Sequence, residues 1–345
     1  MQTFVPCFFD FFATKLQTFV PISLYLHLTR SLLGLQRTSL AYTEVNPQAF
    51  SKENLEVERI NCMTMPPKPF PISLDALADC YSFATLGSIG KSLLGRDIPF
   101  LRIGNADCNF LYVAGISGCE TLGEQILLLF AKELCEFIQK DRTVHGICPT
   151  YLVQNRSIYI LPRVNPDGKE IALGTSNQGD PLYERRLRLN GMENDFSHWL
   201  GNARGIHPTQ NLNYEFSKRQ KAFWQTQEQK SCPMGEFPES EPESAALAGF
   251  ARILKPNCLI NIEKSENETP FFVCTPPHTA QTSALCRMTG LSKKELVPDV
   301  LGGWFHLELG RPSVLFRVND RPEIAYAKLR DALLGACFLF CTRLK

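Results

Sequence analysis

FLYVAGISGCETLGEQILLLF, residues Phe110–Phe130, is the stretch whose reading decides the fold. An apolar run, Leu111–Ala114, stops at Gly115. A short polar turn, Ser117-Gly118-Cys119-Glu120, follows. Then Leu122, Ile126, Leu129, Phe130, Leu134 and Phe137 recur at helical spacing. The continuous apolar run reads as a strand buried on both faces, and the whole stretch as strand, turn, helix. Working outward, IPFLRIG (98–104) alternates like a strand. RSIYILPRVNPDG (156–168) reads as a strand closed by a Pro-Asp-Gly turn. SEPESAALAGFARIL (240–254) reads as a helix whose Ser240 and Glu243 have the spacing of a capping box. NCLINIE (257–263) and PSVLFRV (312–318) read as further buried strands, and Asp320–Leu344 as a closing amphipathic helix. Pro181–Lys230 is polar and irregular, which predicts loops lying over a cleft.

Strands alternating with helices predict an α/β protein: a three-layer α/β/α sandwich around a mixed, mostly parallel sheet. Ligand sites in such sheets lie beyond the carboxyl ends of the strands. That rule singles out Ser117–Glu120, Asn165–Gly168, Glu263–Glu266 and Arg317–Asp320. GSIGKS (87–92) lacks the spacing of a phosphate-cradling loop.

The balance of 36 Lys+Arg against 35 Asp+Glu, a net charge of +1, argues against a nucleic-acid partner. The densest basic cluster, YERRLRLN (183–190), reads as a solvated face. Thirteen cysteines with no paired spacing fit reduced core thiols and a cytoplasmic location rather than a disulfide framework. Residues 1–60 form an apolar extension and linker, distinct from a main domain at 75–345. Asp10, Lys15, His27, Pro6 and Pro21 interrupt the extension, so no apolar stretch reaches the ~20 residues that span a bilayer. Membrane contact through this segment is not expected. It is read as a peripheral amphipathic anchor, a docking element, or a stretch upstream of the true start, with Met63 and Met65 lying just before the domain.

Six collinear stretches resemble the zinc metallocarboxypeptidase family, in particular its bacterial, cell-wall-peptide branch: FATLGSIGKSLLGRDIPFLRIG (83–104), LYVAGISGCETLG (111–123), IYILPRVNPDGKEIALG (158–174), NARGIHPTQNLNYEF (202–216), SEPESAALAGF (240–250) and GGWFHLELGRPSVLFRV (302–318). The resemblance implies a single α/β/α domain, a zinc held by His, Glu and His, and a glutamate general base acting on zinc-bound water. Carried over residue by residue, it places Ser117 at the first histidine and keeps Glu120. It places Glu263 at the second histidine and Arg317 at the general base. The carboxylate-binding pair falls on Asn213-Tyr214, where the asparagine survives and the cation does not. The family's tyrosine has no counterpart in ELVPDVLGG (295–303).

Serine is a poor zinc ligand at neutral pH, and a guanidinium cannot act as a base. Arg317 is therefore expected to pair with both Glu120 and Glu263 in the zinc's place, and no cofactor is expected. Of the six histidines, His207 lies nearest the cleft. Arg204, Asn213 and Arg188 are candidate contacts for a peptide carboxylate. Three readings follow. The first is an inactive member that keeps a cleft for a peptide or peptidoglycan fragment. The second is an active carboxypeptidase with an atypical zinc site. The third is a protein–protein scaffold.

Overall fold

The computed structural model describes residues 72–141, 143, 147–174, 180–226, 233–265, 269–277, 279–295 and 299–340. The expectations for residues 1–60, and those for His27, His145 and His278, lie outside them. The elements below all belong to one compact unit, Ile72–Arg142 with Cys148–Lys345. Among the described residues, no helix is long and apolar enough to cross a membrane.

Eight strands form one sheet: β1 (Ala84–Lys91), β2 (Asp97–Ile103), β3 (Asn109–Val113), β4 (Ser157–Leu161), β5 (Cys258–Lys264), β6 (Phe271–Thr275), β7 (Ser292–Lys293) and β8 (Ser313–Val318). Their order is β1-β2-β4-β3-β5-β8-β6-β7. The centre, β4-β3-β5-β8, is parallel. β2 joins β4 antiparallel on one side and β6 joins β8 antiparallel on the other. The expected mixed sheet is thus parallel where the apolar runs are continuous, because those strands are covered on both faces.

Alternation along β5 sorts the core into two layers. Ile260 and Ile262 face a cluster containing Tyr112, Phe130 and Phe316, covered by α2 (Leu122–Gln139) and α10 (Pro322–Leu339). Leu259 faces the opposite cluster with Leu111, Val113, Trp304 and Phe305, covered by α7 (Pro242–Leu254) and α9 (Val300–Leu309). Asn261 and Glu263 share Leu259's face by the strand's two-residue period.

Four sequence expectations are corrected. Asn165-Pro166-Asp167-Gly168 is not a turn but the start of helix α4 (Pro166–Ala172). Asn165 caps it by accepting from the Gly168 N–H, and proline fits the first helical position because it has no N–H to leave unpaired. The capping box at Ser240 does not form: Glu241 occupies the N-cap of α7 with no side-chain cap bond. Glu243 instead accepts from the Leu93 N–H and Asn202 Nδ2, at 3.0 and 2.9 Å. The span 181–230 is not only loop. It contains α5 (Tyr183–Leu189), a 3-10 turn (Pro208–Asn211) and α6 (Phe216–Thr226). Within α5, Arg186 is not solvated but fully buried, bound to Asp180 at 2.7 Å and to the Ala203 carbonyl.

Candidate functional site

The parallel strands β3, β4, β5 and β8 end on one side of the sheet, and the chain leaves β3 between its two neighbours, where a crevice is expected. The turn after β3 is held from outside. The Gly118 and Cys119 amides donate to the carbonyls of Leu200 and Trp199, at 3.1 and 2.7 Å. Asn165 Nδ2 bonds both Ile116 O and Gly201 O at 3.0 Å. A Cβ on Gly118 would lie 2.6 Å from Gly168 O and 2.7 Å from Trp199 O, so only glycine fits there.

The segment 202–241 is organised by polar side chains, with Asn202 and Asn211 fully buried. Asn202 gives its Nδ2 to Glu241 and Glu243 and accepts from the amides of Arg204 and Ile206. Asn211 accepts from the Glu241 amide and donates to Met234 O and Phe237 O. Arg219 donates to the carbonyls of Gln210, Leu212 and Tyr214, at 3.2, 3.1 and 2.7 Å. These bonds fix the backbone on both sides of Asn213.

Glu263 at the end of β5 sits directly across the ladder from Arg317 on β8. Arg317 Nε and Nη2 both reach Glu263 Oε2, at 3.1 and 3.0 Å, and Asn261 Nδ2 donates to Oε1 at 2.9 Å. Half of the expected cluster therefore forms. No ion pair joins Arg317 to Glu120. Glu120 is buried and accepts instead from the backbone amides of Gly123, at 3.0 Å, and Lys264. Burial, with the charge of Glu263 adding to it, pushes its carboxyl up to about 8. The physical reason is reach: Glu120, in the turn into α2, accepts from one amide at the start of that helix, Gly123, and one at the end of β5, Lys264, which satisfy it without a cation.

Two residues complete the site. Asp299, which sequence reasoning passed over, caps α9 by accepting from the Gly302 amide at 2.8 Å. Burial raises its carboxyl to about 6, with Glu263 adding to the effect and Arg317 opposing it. His207, expected near the cleft, meets Ser117: Nε2 lies 2.9 Å from Ser117 Oγ, and Nδ1 lies 2.9 Å from Thr209 Oγ1. Burial holds the imidazole below its ordinary pKa against the opposing charge of Glu263. The Asx-Pro-Asx-Gly signature in the sequence marks Asn165, but no sequence signal marks Asp299 or the Ser117–His207 contact.

The remaining candidates are dispersed. Asn213 is exposed, while the Tyr214 ring lies against α9, where a Cβ on Gly303 would come within 2.5 Å of it. Arg204 Nη1 is bound to Glu241, at 3.1 and 3.3 Å, with the side chain 40% exposed. Arg188 is exposed on α5.

The donor set does not fit a zinc ion. Ser117 offers a hydroxyl already bonded to His207, Glu120 favours its neutral form, and Glu263 carries a guanidinium on the oxygen a metal would need. Among the described residues, no three His, Cys, Asp or Glu side chains are grouped to hold a metal ion.

Residues 73–268 match the sequence profile of the zinc carboxypeptidases, peptidase family M14. Over 179 residues the chain is 26% identical to gamma-D-glutamyl-L-diamino acid endopeptidase 1 of Lysinibacillus sphaericus, covering 51% of this chain and 44% of that protein. It is 36% identical over 105 residues to carboxypeptidase M of Mus musculus, covering 28% of this chain and 23% of that protein. The chain thus spans less than half the length of these curated relatives. In three dimensions it is similar to carboxypeptidase A from Helicoverpa armigera, with a TM-score of 0.57 at 14% identity, covering 79% of this chain and 72% of that one. A metallo-carboxypeptidase from Burkholderia cenocepacia gives a TM-score of 0.51 at 15% identity, covering 77% and 66%. The collinear motifs, the profile match over more than half the chain and the mixed sheet converge: this chain belongs to the zinc carboxypeptidase family.

Proposed function

We propose that this chain is a family member without metal-assisted peptide hydrolysis, which keeps its crevice for a peptide or a peptidoglycan-stem peptide. One observation carries the reading: Arg317 forms an ion pair with Glu263 at the ends of β5 and β8, at 3.0 Å. A permanent cation there repels a dication and cannot accept a proton from water. The peptide class comes from the relatives, one of them named for cleaving gamma-D-glutamyl-L-diamino acid bonds. We place it in a reducing compartment such as the cytoplasm, because the thirteen cysteines of the sequence carry no paired spacing.

Elemental analysis of the purified chain tests the metal half. Zinc well below one equivalent is expected. The triple variant Ser117→His, Glu263→His, Arg317→Glu is expected to take up one zinc. Stoichiometric zinc in the wild type, with peptide hydrolysis lost on chelation, would establish the active reading instead. For the ligand half, a peptide with a free C-terminus should raise Tm, and its C-terminal amide should not. Equal or absent shifts would leave the scaffold reading.

A further inference from the structure

We propose that Ser117 and His207 form a nucleophile–base pair that acts on a carboxylic ester or amide at the end of β3. The geometry is that of an activated hydroxyl: Ser117 Oγ lies 2.9 Å from His207 Nε2. The other ring nitrogen is held by a third group, Thr209 Oγ1, also at 2.9 Å. With Nδ1–H donating to Thr209, Nε2 carries the lone pair and faces the serine, which is the tautomer a base requires. Thr209 is buried in the 3-10 turn, so the ring's orientation is set by the fold. The backbone that carries the hydroxyl is equally held, because the amides of the two residues after it are bound to Leu200 and Trp199. Ser117 and His207 nevertheless both keep some solvent-exposed surface.

The step balances within the chain and water. Ser117 Oγ bonds the substrate carbonyl carbon as its proton passes to His207 Nε2. The bond to the leaving amine or alcohol then breaks, and that group takes the proton from Nε2. An acyl-serine remains. Water attacks it, gives a proton to Nε2, and the proton returns to Ser117 as the carboxylic acid departs. This chemistry shares Ser117 with the zinc-ligand positions but needs no metal, no carboxylate at Glu120 and no general base at position 317.

The test is labelling of the full chain with a fluorophosphonate, which forms a P–O bond to an activated serine and loses fluoride. Peptide mapping by mass spectrometry is expected to place one adduct on Ser117. Ser117→Ala should abolish it. His207→Gln should slow it by about a hundredfold or more, and Thr209→Val should slow it by a smaller factor while the circular dichroism stays native. Should His207→Gln not fold, Thr209→Val decides. No adduct, an adduct at another serine, or a rate unaffected in the folded variants would overturn the proposal.

Discussion

Glu120→Gln is expected to stabilise the protein at alkaline pH and to remove most of its loss of stability between pH 5 and 9. The native carboxyl holds its proton up to about pH 8, while the ordinary value is 4.5. Below the ordinary value both states are protonated and the group contributes nothing. Between the two values the unfolded chain releases the proton and the native state keeps it, so stability falls as pH rises. Above both, the native state carries the full penalty of a buried charge beside Glu263, on the order of a few kcal/mol. Asp299, raised from 3.8 to about 6, adds a fall of the same sign in the lower part of the range. Glutamine keeps an oxygen for the Gly123 and Lys264 amides and cannot ionise. Urea titrations at pH 5 and pH 9 measure this. The wild type should lose a few kcal/mol between them and the variant much less; parallel losses would refute the assignment.

Asp167→Ala carries the largest expected cost to the fold. Asp167 is fully buried at the start of α4. It accepts from Ser92 Oγ at 2.8 Å, the Leu94 amide at 2.8 Å and Arg96 Nη1 at 2.7 Å. The carboxylate is what ties the β1–β2 connection to the helix after β4. Removing it strands a buried hydroxyl and an amide, for about 3–5 kcal/mol. For a domain of this size that lowers Tm by about 10 °C. Calorimetry checks it, and Asp167→Asn should recover part of the loss by keeping one acceptor. A change within 1 °C for the alanine variant would show that the network contributes nothing to stability.

The parallel centre of the sheet was legible because burial on both faces leaves an unambiguous trace. NFLYV, CLINIE and SVLFR are buried, mostly apolar runs, and α2 and α10 repeat apolar residues at helical spacing. The edges left weaker traces. β1, ATLGSIGK, is glycine-containing and half-exposed, and carries no clean strand pattern. β6, FFVCT, is apolar but too short to separate from a buried loop. Ser240 and Glu243 have the right spacing for a cap, yet long-range partners, Leu93 and Asn202, outcompeted it. The same holds in the site. Motif order located Ser117, Glu120, Glu263 and Arg317, and strand register put the last two side by side. Whether Glu120 would join them depended on two backbone amides that no side-chain pattern encodes. The Ser117–His207 contact joins residues 90 positions apart, and nothing in local sequence specifies such a pairing.

The contacts around Gly118 have a dynamic consequence. Its amide and that of Cys119 are donated to Leu200 and Trp199, and Gly168 O closes over its α-carbon. Three chain segments far apart in sequence therefore open together or not at all, forming one cooperative unit rather than three independently breathing loops. In native-state hydrogen exchange, the amides of Gly118, Cys119 and Gly168 should share a single opening free energy and a common denaturant dependence, and a side chain forced in at 118 should release all three at once.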